Sequence, residues 1–103
     1  MNPIEIREMQ YVLIVGKTKS FSQAAKRCFI SQPALSKIIK KVENNLNIEI
    51  FDRGTAPLKI TPEGENIIEY FSKIINLETS LERYCTSVLE QKKTDLIVGT
   101  LHW

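Results

Sequence analysis

Gln32, Ser36, Lys37 and Lys40 bring an amide, a hydroxyl and two ammonium groups to spacings of four, five and eight residues from the first. On a helix those offsets share one face, so the side chains would stand together with their donors and acceptors free. A polar, basic face of this kind suits hydrogen bonding to base edges and phosphates when its helix lies in the major groove of duplex DNA. Periodicity alone leaves a second reading open, a three-helix core in which Lys37, Lys40 and Lys41 are simply solvated charge.

Other chemistries find little to work with. The one histidine, His102, stands at the chain end, and no activated nucleophile, paired carboxylate or phosphate-binding loop is visible, so no enzymatic activity is expected. Cys28 and Cys85 are 57 positions apart with no CxxC spacing, which predicts neither a zinc site nor a disulfide framework. The N-terminus does not read as a secretory signal, and no apolar run approaches the roughly 18 residues that span a bilayer. The expected location is the reducing cytosol, with no membrane partner.

The chain has 103 residues, 43% hydrophobic and 25% charged, with a formal net charge of +2. That is enough for one small core and one extended element. The charge is uneven: residues 1–60 hold ten Lys/Arg against five Asp/Glu, whereas residues 61–103 hold four against seven. An electropositive front half is the part suited to approach phosphates.

Four helices and a hairpin must position these groups. Met9, Val12, Leu13 and Val15 give a first helix, from about Glu5 to Lys17, one apolar side. Ser20 and Gln23 have capping-box spacing, predicting a short second helix from Phe21 to Cys28 in which Ala24 and Ala25 admit a close neighbour. Ser31, followed by Pro33, opens a third helix whose stripe of Leu35, Ile38, Ile39, Val42 and Leu46 must be buried; Asn47 suits its left-handed cap. Segments around Glu49–Phe51 and Leu58–Thr61 read as a small β-hairpin wing.

Thr61, Pro62 and Glu63 form the strongest helix start, predicting a long helix to about Gln91. Along it Ile67, Phe71, Ile74, Leu81, Cys85 and Val88 form a seam, widened by Ile68, Ile75, Tyr84 and Leu89. So small a chain cannot bury that seam alone, which predicts dimerisation through it. Residues Asp95 to Thr100 read as a strand. Tyr11, Phe21, Phe29 and Phe51 lie on inward periodicities and are expected to be core or partly buried. The fold class expected is mainly α: a winged helix-turn-helix over residues 1–61, a linker and dimerisation helix over 62–92, and the start of a further domain over 93–103.

The stretch SFSQAAKRCFISQPALSKIIKKVENNLNIEIFDR, continued by PLKITPEG, resembles the signature of the LysR-type transcriptional regulators. Ser-Phe, Ala-Ala, Ser-Gln-Pro-Ala-x-Ser, Phe-x-Arg and Thr-Pro-x-Gly stand at the family's spacings across residues 20–64. The sequence departs from the pattern in Cys28 and Val42, where leucine is usual, in Asn47, which replaces a glycine, and in Ala56, which lacks a basic wing residue.

The resemblance implies sequence-specific binding of double-stranded DNA by a homodimer. Gln32, Pro33, Ser36 and Lys37 would meet base edges, glutamine reading adenine, proline a thymine methyl and lysine guanine acceptors. Arg53 would lie at the minor groove from the wing, the alternative being an ion pair with Asp52, Glu49 or another wing neighbour. Ser20, Ser22, Ser31, Lys40, Thr55 and Lys59 are the phosphate candidates, although capping alone explains Ser20 and Ser31. Lys17, Lys19, Lys26 and Arg27 are left as solvated charges.

The resemblance further implies antiparallel pairing of the linker helices and no cofactor in these residues. It also implies a small-molecule effector for a C-terminal domain beyond them, and tetramers only for the full-length protein. Two other classes remain open on the residues alone, a winged-helix protein-interaction module and a different winged-helix regulator family such as MarR or ModE.

Overall fold

The computed structural model describes the backbone of residues 1–101 and the side chains of residues 1–95. Three short helices pack together, α1 (Ile6–Thr18), α2 (Phe21–Cys28) and α3 (Gln32–Leu46), followed by strands β1 (Phe51–Asp52) and β2 (Lys59–Ile60) and the long α4 (Pro62–Leu101). The strands form one antiparallel pair, Phe51 opposite Ile60 and Asp52 opposite Lys59. A 40-residue α4 gives the molecule its elongated shape, 71 × 27 × 20 Å.

The caps explain why the helices begin and end where they do. Ser20 Oγ accepts from the Gln23 N–H and Ser31 Oγ from the Ala34 N–H, both at 3.2 Å, satisfying first-turn donors that have no helical partner. Only the hydroxyl half of the expected box at Ser20 is formed. Lys19, Phe29 and Asn47 close α1, α2 and α3 in the left-handed conformation, which releases the chain into a tight turn each time.

One core joins the four helices and the hairpin: Met9, Val12 and Val15 from α1, Ala24 and Ala25 from α2, Leu35, Ile39 and Val42 from α3, Ile50, Phe51 and Leu58 around the wing, and Phe71 from α4. The small alanines let α2 approach α1 and α3 closely, as the sequence predicts. Gly64, in the first turn of α4, abuts the wing, where a methyl group would overlap the Ile50 carbonyl oxygen. The Thr-Pro-x-Gly motif therefore both caps α4, through Thr61 Oγ accepting from the Gly64 N–H at 2.9 Å, and seats it on Ile50, the residue just before β1.

Three expectations are corrected. The helix does not stop near Gln91, and Asp95–Thr100 is helix, not strand. A lone strand leaves its backbone groups unpaired, whereas continuing α4 bonds each N–H internally. Phe29 is not a packing residue: it is 94% exposed, because it is the residue that ends α2, and the inward position passes to Ile30. Phe71 is 4% exposed within its own chain, and Ile67 packs beside it, so these two serve the internal core before any partner arrives. His102 lies outside the described residues.

Candidate nucleic-acid interface

Burial splits α3 into two faces. Leu35, Ile39 and Val42 are buried against α1, α2 and the wing, which turns Gln32, Pro33, Lys37 and Lys40 out to solvent with Ser36 half-buried among them. The core therefore holds the polar row rigidly, because rotating α3 would expose its apolar stripe. The row begins at the helix N-terminus, where Ser31 caps and first-turn N–H groups point outward.

Ser20 and Ser31 both serve as helix caps. Each hydroxyl oxygen accepts the capping bond, which leaves its O–H free to donate to a phosphate. Ser22 is exposed on α2. In the wing Asp52 Oδ1 accepts from the Gly54 N–H at 2.9 Å, and Thr55 Oγ donates to the Pro57 carbonyl at 3.1 Å; the turn is built from its own side chains. Lys59 is exposed on β2. The base of the wing is tied to the front of the molecule by the Leu58 N–H donating to the Lys19 carbonyl at 3.3 Å.

Arg53 takes the alternative the sequence left open, but with a partner it did not name. Its guanidinium lies 2.7 Å from Glu43 Oε1 and 5.2 Å from the centre of the Phe21 ring. Glu43, on the back of α3, is buried, and its other oxygen accepts from the Ile50 and Phe51 N–H groups at 2.7 and 3.2 Å. Phe21 in turn meets Phe51 edge-on, ring centres 6.2 Å apart. This cluster locks the start of α2, the recognition face of α3 and the wing into one orientation.

A second ion pair, two residues before Glu43, braces α3 against α1. Lys41 Nζ stands 2.9 Å from Glu8 Oε2, while Glu8 Oε1 accepts from the Glu5 N–H at 3.0 Å. Burial pushes the Glu8 carboxyl up, but the Glu5 N–H and the Lys41 ammonium outweigh it and hold the carboxyl below its ordinary value. The same carboxylate raises the Lys41 ammonium. Lys41 is thus a brace for α1 and α3, unlike Lys37 and Lys40 beside it, which have no ion-pair partner among the described residues.

Neither Glu8 nor Glu43 stood out in the sequence, since glutamate in a helix is normally solvent-facing. Their one signal was position: both fall on the buried side of their helices.

Farther along α4 the apolar seam emerges from the core. Ile74, Leu77, Leu81 and Tyr84 line an open groove with Ile6 from α1, and Leu77 and Leu81 are 73% and 60% exposed. Cys85 is exposed and Val88 partly so. Leu77, absent from the predicted seam, belongs at its centre.

Comparison with known proteins agrees with this geometry. The family model described as bacterial regulatory helix-turn-helix protein, lysR family, matches residues 6–65. The chain is 33% identical over 100 residues to the transcriptional regulator BenM of Acinetobacter baylyi, covering 95% of this chain and 33% of that protein. It is 37% identical over 84 residues to the transcriptional regulator MetR of Haemophilus influenzae, covering 78% and 27%. The chain spans about a third of the length of the curated relatives it matches.

Among solved structures, a complex of the BenM DNA-binding domain with catB site 1 DNA superposes with a TM-score of 0.82 at 31% identity, covering 84% of this chain and 94% of that one. Vibrio fischeri DarR in complex with DNA gives a TM-score of 0.82 at 28% identity, covering 87% and 30%.

Proposed function

The chain belongs to the LysR family of bacterial helix-turn-helix regulators, and from that premise we propose that it binds duplex DNA sequence-specifically as a dimer, with α3 in the major groove and the wing beside the minor groove. The observation that carries this reading is the row Gln32, Pro33, Ser36 and Lys37 on the face of α3 turned away from the core. A helix held so rigidly by Leu35, Ile39 and Val42 offers those groups to base edges with little left to reorganise.

Ser20, Ser22, Ser31, Lys40 and Lys59 flank that row and supply phosphate contacts, which position the domain without reading sequence; Thr55, whose hydroxyl donates to the Pro57 carbonyl, joins them by exchanging that acceptor for a phosphate oxygen. With Arg53 engaged by Glu43 and Ala56 in place of a basic residue, Lys59 is the cation the wing offers to the backbone. Arg53 acts as a positioning residue, setting the wing's angle to α3.

The groove of Ile74, Leu77, Leu81 and Tyr84 with Ile6 is covered by a second copy, which places two α3 helices on one duplex at successive half-sites. The relatives are transcriptional regulators, and regulation of transcription in the bacterial cytoplasm is the role that follows for this chain. Duplex binding measured over a salt series, for the protein and for Pro33→Ala, Lys37→Ala and Lys59→Ala, tests the assignment.

A further inference from the structure

We propose that Phe29 is an apolar DNA-contact residue, its ring packing on a deoxyribose at the wall of the major groove when α3 is seated; the proposal rests on the DNA-reading function above. Two independent features set Phe29 apart. Its ring is 94% exposed, so nothing among the described residues offsets its hydration, and its φ of 59° is a conformation that glycine or asparagine adopts more cheaply. The free domain gains nothing from a phenylalanine at this turn. A large side chain kept in a strained and solvated position points to a partner met outside the chain.

Its place identifies the partner. The other strongly exposed large hydrophobics among the described residues, Met1 aside, are Tyr70, Ile74, Leu77, Leu81, Tyr84 and Leu89 on α4, far along the chain on the element assigned to dimerisation. Phe29 stands instead in the turn of the helix-turn-helix, three residues before Gln32. At about 3.6 Å per residue when fully extended, its Cα is at most roughly 11 Å from that of Gln32, so the two lie within the roughly 12 Å width of one major groove. With Gln32 at a base edge, the ring is within reach of the groove wall, whose sugar carbons offer an apolar surface between phosphates. Lys26 and Arg27, exposed in the last turn of α2, draw that wall inward.

An apolar contact of this kind adds affinity without releasing counterions, which separates it from the phosphate contacts. The test compares the protein with Phe29→Asn and Phe29→Tyr in fluorescence anisotropy over a salt series on a duplex the unaltered protein binds, alongside thermal melts. Phe29→Asn is expected to bind about tenfold more weakly, the effect of uncovering on the order of one ring face. Its salt slope should be unchanged and its melting temperature a few degrees higher, of order the relief of left-handed strain. Phe29→Tyr should keep the affinity within about twofold, since it keeps the ring face.

An asparagine variant that binds as tightly as the unaltered protein overturns the proposal. So does one that binds more weakly but also melts lower, since the ring would then serve the fold. If the unaltered protein binds no duplex at low salt, the DNA-reading function itself fails, and the role of Phe29 with it.

Discussion

Glu43 holds Arg53 at 2.7 Å, and the same carboxylate accepts from the backbone of Ile50 and Phe51, so one buried side chain joins the recognition helix to the wing. Removing it leaves two buried N–H donors without a partner and takes from Arg53 its one carboxylate, leaving that guanidinium the Phe51 carbonyl at 3.4 Å and the Phe21 ring. Glu43→Ala is therefore expected to lower stability by about 3 kcal/mol, of the size seen when a buried ion pair loses one member. Glu43→Gln, which keeps the shape and one acceptor, should cost less. Urea denaturation checks the order; equal stabilities for the protein and the alanine variant would refute the role given to Glu43.

A methyl group at residue 64 has nowhere to go. Because the obstruction is the Ile50 main chain and not a flexible side chain, Gly64→Ala must shift α4 away from the wing. The expected loss is about 1–3 kcal/mol, typical of overpacking, even though alanine is the better helix former. A thermal melt of the variant decides the matter, and a raised melting temperature would contradict the packing described.

The Glu8–Lys41 pair makes a signed prediction for pH. The folded carboxyl lies below its ordinary value of 4.5, so its contribution is complete above that value and is lost as pH falls through the lower, folded value. Lys41 is raised, so its contribution holds below its ordinary 10.5 and is lost as pH rises through the folded value. Glu8→Gln should be less stable than the unaltered protein at pH 7, and the two should converge in acid well below pH 4.5. A gap that stays constant into acid would show that the charge of Glu8 does not matter.

What the sequence made legible follows from periodicity and caps. The stripe Leu35, Ile39 and Val42 and the hydroxyls of Ser20 and Ser31 act within one helix turn, so their roles show in spacing alone. The roles of Glu43, Arg53 and Phe71 depend on which distant segment each meets, and that is set only when α3, the wing and α4 close on one another. Phe29 falls on an inward periodicity in the sequence, whereas the left-handed turn that ends α2 carries it out. The strand expected at Asp95 differs for another reason: β propensity is a weak local preference, and α4 continues through these residues with its backbone bonded internally.

The groove on α4 predicts the oligomeric state. Leu81→Arg places a charge among Ile74, Leu77 and Tyr84, where pairing would desolvate it without a partner. The unaltered protein should elute as a dimer and the variant as a monomer with its core helices intact by circular dichroism. Light scattering on the eluting peak checks both, and a dimeric Leu81→Arg variant would move the interface elsewhere.

The central claim, that the row on α3 reads duplex DNA, is tested most directly by fluorescence anisotropy against random-sequence and pseudo-palindromic duplexes over a salt series. The protein should bind with salt-dependent affinity and prefer some duplexes. Pro33→Ala and Lys37→Ala should lose that preference, at about 1–3 kcal/mol for a lost base contact. Lys59→Ala should weaken all duplexes about equally and flatten the salt slope by roughly one. Pro33 and Lys37 variants that keep the full preference, or a dimer indifferent to DNA at low salt, would contradict the account.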